Sequence, residues 1–234
     1  MAAKGTGVFT VRLIASVIYT AALFGLSLFL PAGTLAWGRA WVLLGTVVAA
    51  TLVTMLTVFR GNEGLLKERF RAPVQKEQPF WDKILISLLL ITFGGLVAFI
   101  PLDVFRYHLL NKPGLIVSAM GLLLFAVGWT ISTLALRENA FAAPVVKLQQ
   151  GRYQRVIDSG PYRIVRHPMY AGAVPLMVGL PLWLQSYAGA LLALLPIGVV
   201  ALRAVAEERF LQRELAGYEA YTKRVRYRLI PFVW

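Results

Sequence analysis

The chain has 234 residues, of which 58% are hydrophobic and only 15% charged, a balance that excludes an ordinary soluble domain and points to an integral membrane protein. Its net charge of +13 is spread between apolar runs rather than over one face, which argues against nucleic-acid binding. With no cysteine there is no disulfide, thiolate metal site or thiol nucleophile, and two histidines far apart in sequence make no zinc site, so no metal is expected.

Uncharged runs mark the elements in chain order. Residues 13–38 follow Lys4 and Arg12 and are too long for the apolar core of a signal peptide, so they are read as the first membrane helix. Residues 40–59 give the second. The 61–83 segment mixes both signs of charge and reads as a solvated or interfacial connector. Residues 84–102 and 113–136 give the third and fourth spans. In the 137–168 loop, Tyr153, Val156, Ile157 and Tyr162 among charges suggest a segment that packs on something.

Residues 167–202 are also uncharged, but this run is too long for one span. A break near Leu184–Tyr187 turns it into a helical hairpin. Its first arm, about Tyr170–Leu184, is short and holds Pro175 and Pro181. Its second arm runs from about Tyr187 to Val205. From Ala206 to Tyr221 the apolar residues are spaced at three and four, as in an amphipathic helix that continues the last span. The final residues, rich in Tyr, Trp and Arg, read as an interfacial anchor.

The expected fold is therefore all-α: a polytopic bundle of about six transmembrane helices ending in a hairpin. Two regions are expected, 1–83 as an N-terminal two-helix part with its connector and 84–234 as a functional core. Twenty-one of the 24 basic residues fall on one side of such a bundle, and Arg39, Arg106 and Lys112 on the other. By the positive-inside rule both termini and the two long basic loops lie in the cytoplasm.

Several residues on that side carry possible chemistry. His167 precedes Pro168, which pushes it out of the helical region and places it at a helix start, beside free N–H groups suited to a polar or anionic ligand. A plain helix entry anchored by Arg, His and Tyr is the other reading. Arg203 and Glu207 share a helix face at i and i+4, as a buried functional pair or as an ordinary surface ion pair. Gln149, Gln154 and the backbone at Val156–Ile157 could line a pocket, or belong to an interfacial loop. No phosphate-binding loop, dinucleotide fingerprint or hydrolase motif appears, so any cofactor would bind among helices.

Taken together and in order, "GPYRIVRHPMYAG", a helical hairpin and "EERFLQRELAGYEAYTKRVRYRLIP" resemble the isoprenylcysteine carboxyl methyltransferase family, with the closest likeness to its bacterial members. Residues from about 114 to 234 carry the resemblance. "LRENAFAAPVVKLQQGR" and "LLKERFR" add to it. Phospholipid methyltransferases and sterol reductases share parts of this architecture.

The resemblance implies S-adenosylmethionine in a cytoplasmic pocket of a bacterial inner-membrane enzyme, with membrane lipids around it. It also implies a lipophilic or small-molecule methyl acceptor, with carboxylate O-methylation favoured. Carried over by motif, Gln149, Gln154, Arg155, Val156, Ile157, Tyr162, His167, Pro168, Met169 and Tyr170 surround the cofactor. Glu207 contacts it from the last helix, Arg203 lies toward the acceptor, and Asn139 stands where the family has an asparagine before the pocket. Gln154 replaces the family's usual histidine, so a titratable role there is not carried over. The other function classes are an NADPH-dependent membrane reductase with a related helical core and a non-catalytic membrane scaffold or sensor.

Overall fold

The computed structural model describes residues 2–76, 78–148, 151 and 153–234. Helices α1 (Ala2–Ala32), α2 (Gly38–Thr54), α4 (Phe80–Leu102), α5 (Leu115–Glu138), α6 (Pro168–Trp183) and α8 (Leu194–Glu214) make up the bundle. Three short helices join them: α3 (Glu63–Arg69), α7 (Tyr187–Leu192) and α9 (Tyr218–Arg224). Both α2 and α4 end in one wider π turn, at Met55–Phe59 and Asp103–Tyr107. Among the described residues the extended pairing is a single parallel bridge between Val165 and Tyr227.

Five helical stretches are long and apolar enough to cross a membrane: Phe9–Ala32, Gly38–Phe59, Phe80–Tyr107, Leu115–Glu138 and Tyr187–Glu214. The sixth expected span is α6, which has 16 residues. At 1.5 Å per residue that is about 24 Å, short of the roughly 30 Å hydrocarbon core. Apolar side chains face outward as well as inward. Ile91 is 69% exposed and Ile116 is 77% exposed, as lipid-facing residues would be.

The hairpin turns where the sequence breaks. Gln185 takes a left-handed conformation, and the Ser186 hydroxyl accepts from Gly189 N at 2.7 Å to start α7. Ser186 also donates to the Asp103 carboxylate at 2.6 Å. The second arm differs from a single Tyr187–Val205 helix: it is interrupted at Ala193 and then runs on to Glu214.

A second difference follows. The helix expected over Ala206–Tyr221 stops at Glu214, because Gly217 adopts a φ of +82° and α9 begins a new direction at Tyr218. Tyr218 and Tyr221 are buried, so this part of the tail is a wall rather than an interfacial anchor.

Helix α6 lies directly against α5. A Cβ added to Gly128 would run into the backbone at Gly172 and Leu176, and one on Gly179 into the backbone at Gly121 and Phe125. The glycine pairs 128/172 and 121/179 are each seven residues, two turns, apart along their helices. They let the two backbones touch, as small residues do between membrane helices. Ser132 at the next turn donates to Gly128 O at 2.9 Å and lies 3.4 Å from Met169 O, which fixes the start of α6 on α5.

The connections gather at two ends. At one end Arg39 donates to Trp183 O, Trp183 donates to Arg39 O, and Gln185 donates to Pro113 O. At the other end, α3, the 139–167 segment, the lower half of α8 and the C-terminal tail come together.

Candidate active site

The described residues of the 139–167 segment form little helix, so tertiary bonds shape them. Asn139, just after α5, donates to the Tyr162 hydroxyl at 3.1 Å. Tyr221 donates to Tyr162 O at 2.8 Å. Burial pushes the Tyr162 phenol up to about 12, against the opposing effect of the Asn139 hydrogen bond, so it is neutral at physiological pH. Gly160 has a φ of +54°, and a Cβ there would meet the Glu138 side chain. The Glu138 carboxylate accepts from Ser159, which closes the turn.

Glu208 ties this segment to α8 and the tail. Arg166 reaches its carboxylate through Nε at 2.9 Å and Nη2 at 3.2 Å, and Arg228 does so at 3.2 Å through both nitrogens. Arg166 Nη1 donates further to Val225 O and Arg226 O, each at 2.7 Å. The Arg166 and His167 backbone amides donate to Tyr227 O and Arg228 O, both at 2.9 Å. His167, at φ −123° and ψ 64°, then precedes Pro168 at the first position of α6, as the His-Pro pair requires.

These elements enclose a pocket of about 110 Å³. Asn139, Phe141, Ala142, Ala143, Val145, Val146, Lys147 and Gln154–Ile157 line it. Tyr162, His167–Tyr170, Glu207, Leu211, Leu215 and Tyr218 line it as well. Of the residues singled out in the sequence, Asn139, Gln154, Arg155, Val156, Ile157, Tyr162, His167, Pro168, Met169, Tyr170 and Glu207 all line it. Gln149 lies outside the described residues. Arg203 does not line the pocket; its guanidinium sits 5.8 Å above the Tyr170 ring centroid.

The i,i+4 pairing of Arg203 with Glu207 does not occur. Arg203 turns instead to Asp82, with Nε to Oδ1 at 2.8 Å, and donates to Pro144 O at 2.7 Å. Glu207 accepts from the Tyr170 hydroxyl at 2.6 Å and makes no ion pair with a described cation. The Tyr170 ring also stacks on His167, 5.6 Å between centroids and 13° from parallel.

Two buried polar atoms in the pocket wall have no hydrogen-bond partner: His167 Nε2 and the Tyr218 hydroxyl. The nearest charge to the histidine nitrogen is Glu208, at 3.7 Å. Buried polar atoms are rarely left unpaired.

Sequence reasoning missed three residues here. Asp82 falls in what reads as a solvated connector, yet it is wholly buried and accepts from Gln78 at 2.7 Å and from Val146 N at 2.8 Å, as well as from Arg203. Val146 and Arg203 stand far away in the chain, so no local pattern reveals their contact with Asp82. Glu208 was overshadowed by Glu207. Lys147 is buried and holds Glu68 at 2.8 Å, linking the pocket wall to α3. Among the described residues no group of three or more His, Asp or Glu side chains is placed to hold a metal ion.

No curated protein matches the chain. Residues 116–217, from the second residue of α5 to the glycine before α9, match the model of the phospholipid methyltransferase family, which includes the isoprenylcysteine carboxyl methyltransferases, and this indicates a membrane methyltransferase.

Proposed function

We propose that the chain is an S-adenosylmethionine-dependent methyltransferase of a bacterial inner membrane, acting on a lipophilic acceptor, with a carboxylate oxygen favoured as the methylated atom. The pocket would open to the cytoplasm. The observation that carries the reading is Glu207: a carboxylate in a pocket wall, held by Tyr170 but not neutralised by a described cation. Such a group suits a cationic ligand.

The other pocket residues fit the same cofactor. His167 Nε2 and the Tyr218 hydroxyl are buried without partners, and a ligand with amino-acid and ribose groups would satisfy them. Leu211, Leu215 and Val156 supply apolar wall for a base. When bound there, the cofactor supplies a methyl group on a positively charged sulfur. The protein then has little covalent chemistry to perform. It aligns the two reactants and keeps water out. Tyr170 holds the Glu207 carboxylate in place, and the stacked His167 holds Tyr170. A carboxylate acceptor needs no general base, since it is already ionised at neutral pH.

The pocket volume lies below the roughly 300–1,000 Å³ of common small-molecule sites.

Isothermal calorimetry with S-adenosylhomocysteine in detergent tests the reading. Wild type should bind, and Glu207→Gln should bind about tenfold or more weakly, the loss expected for a charge-assisted contact. A folded wild type that binds neither S-adenosylhomocysteine nor S-adenosylmethionine, beside a family member that does, would rule the proposal out.

A further inference from the structure

Arg69 ends α3, a helix begun by Asn62, whose side chain accepts from Leu65 N at 3.2 Å. Leu65 and Leu66 are the buried face of this helix, 0% and 2% exposed. Arg69 follows them by four and three residues, so it projects from the same face, toward the protein. Its Nη2 lies 4.0 Å from the Met169 sulfur. A basic residue at a helix C-terminus often serves the helix dipole from solvent, but this one is directed inward.

The other inward-facing arginines of this end are neutralised. Arg166 holds Glu208 at 2.9 Å, and Arg203 holds Asp82 at 2.8 Å. Arg69 makes no ion pair with any described carboxylate. Its neighbour Glu68 is taken by Lys147 at 2.8 Å and Arg71 at 3.3 Å. Arg69 is half-buried, and drawing a guanidinium out of water without a counter-charge is unfavourable; the desolvation lowers its pKa from the usual value. Tyr162, Tyr170 and Arg203 are the groups close enough to act on its charge, the last by repulsion. An anion beside Arg69 would relieve both penalties.

Its position suggests which ligand brings that anion. Met169 and Tyr170 line the cofactor pocket, and Met169 also packs on the apolar cluster of Met55, Phe59 and Leu136, where α2 and α5 end. Arg69 stands beside Met169 and is not among the pocket-lining residues. The unneutralised carboxylate, Glu207, lies in the pocket, and the unneutralised guanidinium lies outside it, beside the residues where two membrane helices end. Resting on the methyltransferase reading, we propose that Arg69, and not the Asp82-bound Arg203, receives the acceptor's headgroup, an oxyanion carried on a hydrocarbon tail.

Three ligands with the same tail test this: palmitate, hexadecyl phosphate and the neutral palmitamide. They are titrated into the purified full-length protein in neutral-lipid nanodiscs, at mildly alkaline pH, and the thermal unfolding midpoint is followed. At least one anion should act at about tenfold lower concentration than palmitamide. The stronger of the two identifies a carboxylate or a phosphate head. Arg69→Gln should abolish the preference for the anion. Arg69→Lys, which keeps the charge but loses the planar fork, should retain part of it. Equal response of wild type to anion and amide overturns the assignment, as does an anion preference left intact in Arg69→Gln. Should Arg69→Gln fail to fold, an Arg69→Lys affinity equal to wild type overturns the fork contact. S-adenosylhomocysteine binding is measured on the same wild-type sample. Its absence counts against the cofactor proposal alone, and a wild type that binds the cofactor but does not prefer the anions to palmitamide counts against Arg69 alone.

Discussion

Arg203 carries its charge into the interior of α8 because Asp82, at the start of α4, meets it there. The same carboxylate accepts from Val146 N, so one buried side chain holds both the arginine and a wall of the pocket. Removing one partner of a buried pair leaves the other charge uncompensated, which costs about 3–5 kcal/mol, whereas replacing both with apolar groups costs far less. Asp82→Ala should therefore lower the unfolding midpoint in detergent strongly, and Asp82→Ala combined with Arg203→Met should recover much of the loss. Additive losses in this double-mutant cycle would show that the pair is not coupled. Glu207 and His167–Tyr170 were legible in the sequence as pocket candidates because each lies in a short contiguous motif and the two motifs follow in order. Asp82 and Arg69 were not, because Arg203 and Met169, the residues they respectively meet, stand about a hundred or more positions away. The charges around them matched an ordinary basic connector.

Hydropathy also revealed where the helices are, but not which of them touch. Gly121, Gly128, Gly172 and Gly179 are unremarkable in an apolar sequence; only the pairing of α5 with α6 shows that 128 meets 172 and 121 meets 179. The pairing has a functional consequence, since α6 begins at His167–Tyr170 and is fixed in place by this contact. Gly128→Ala should force the backbones apart, at a cost of about 1–3 kcal/mol for overpacking. It should weaken S-adenosylhomocysteine binding by shifting the pocket-lining residues His167–Tyr170. Gly94→Ala in α4, where an added Cβ meets nothing within 4 Å, should be neutral or stabilise by about 0.5–1 kcal/mol through helix propensity. Unfolding midpoints and calorimetry of the two variants separate these outcomes. The irregular 139–167 segment was the least legible element. Its path is set by Glu208, Arg228 and the Val165–Tyr227 bridge rather than by any periodicity of its own.

At the scale of the whole molecule, the two ends of the bundle differ sharply in charge, and this sets the orientation we propose. By sequence, 21 of the 24 basic residues belong to the segments assigned to the pocket end, and Arg39, Arg106 and Lys112 belong to those of the far end. Positive loops stay on the cytoplasmic side, so a cofactor from the cytoplasm would reach the pocket directly. The chain has no cysteine, so single cysteines can be introduced without altering a background. Lys112 is exposed in the loop before α5, and Lys223 is exposed in α9 with only a surface pair to Glu219 to lose. Exposed i,i+4 pairs contribute about 0.3–0.5 kcal/mol, so neither Lys112→Cys nor Lys223→Cys should disturb the fold. In right-side-out vesicles a membrane-impermeant maleimide should label Lys112→Cys at once. Lys223→Cys should react only after the membrane is permeabilised. Labelling in the reverse order would place the pocket outside the cell, away from the cofactor. Labelling of both positions from one side would mean that an odd number of segments does not separate them, and that α6 and the Tyr187–Glu214 stretch do not cross as the two arms of a hairpin.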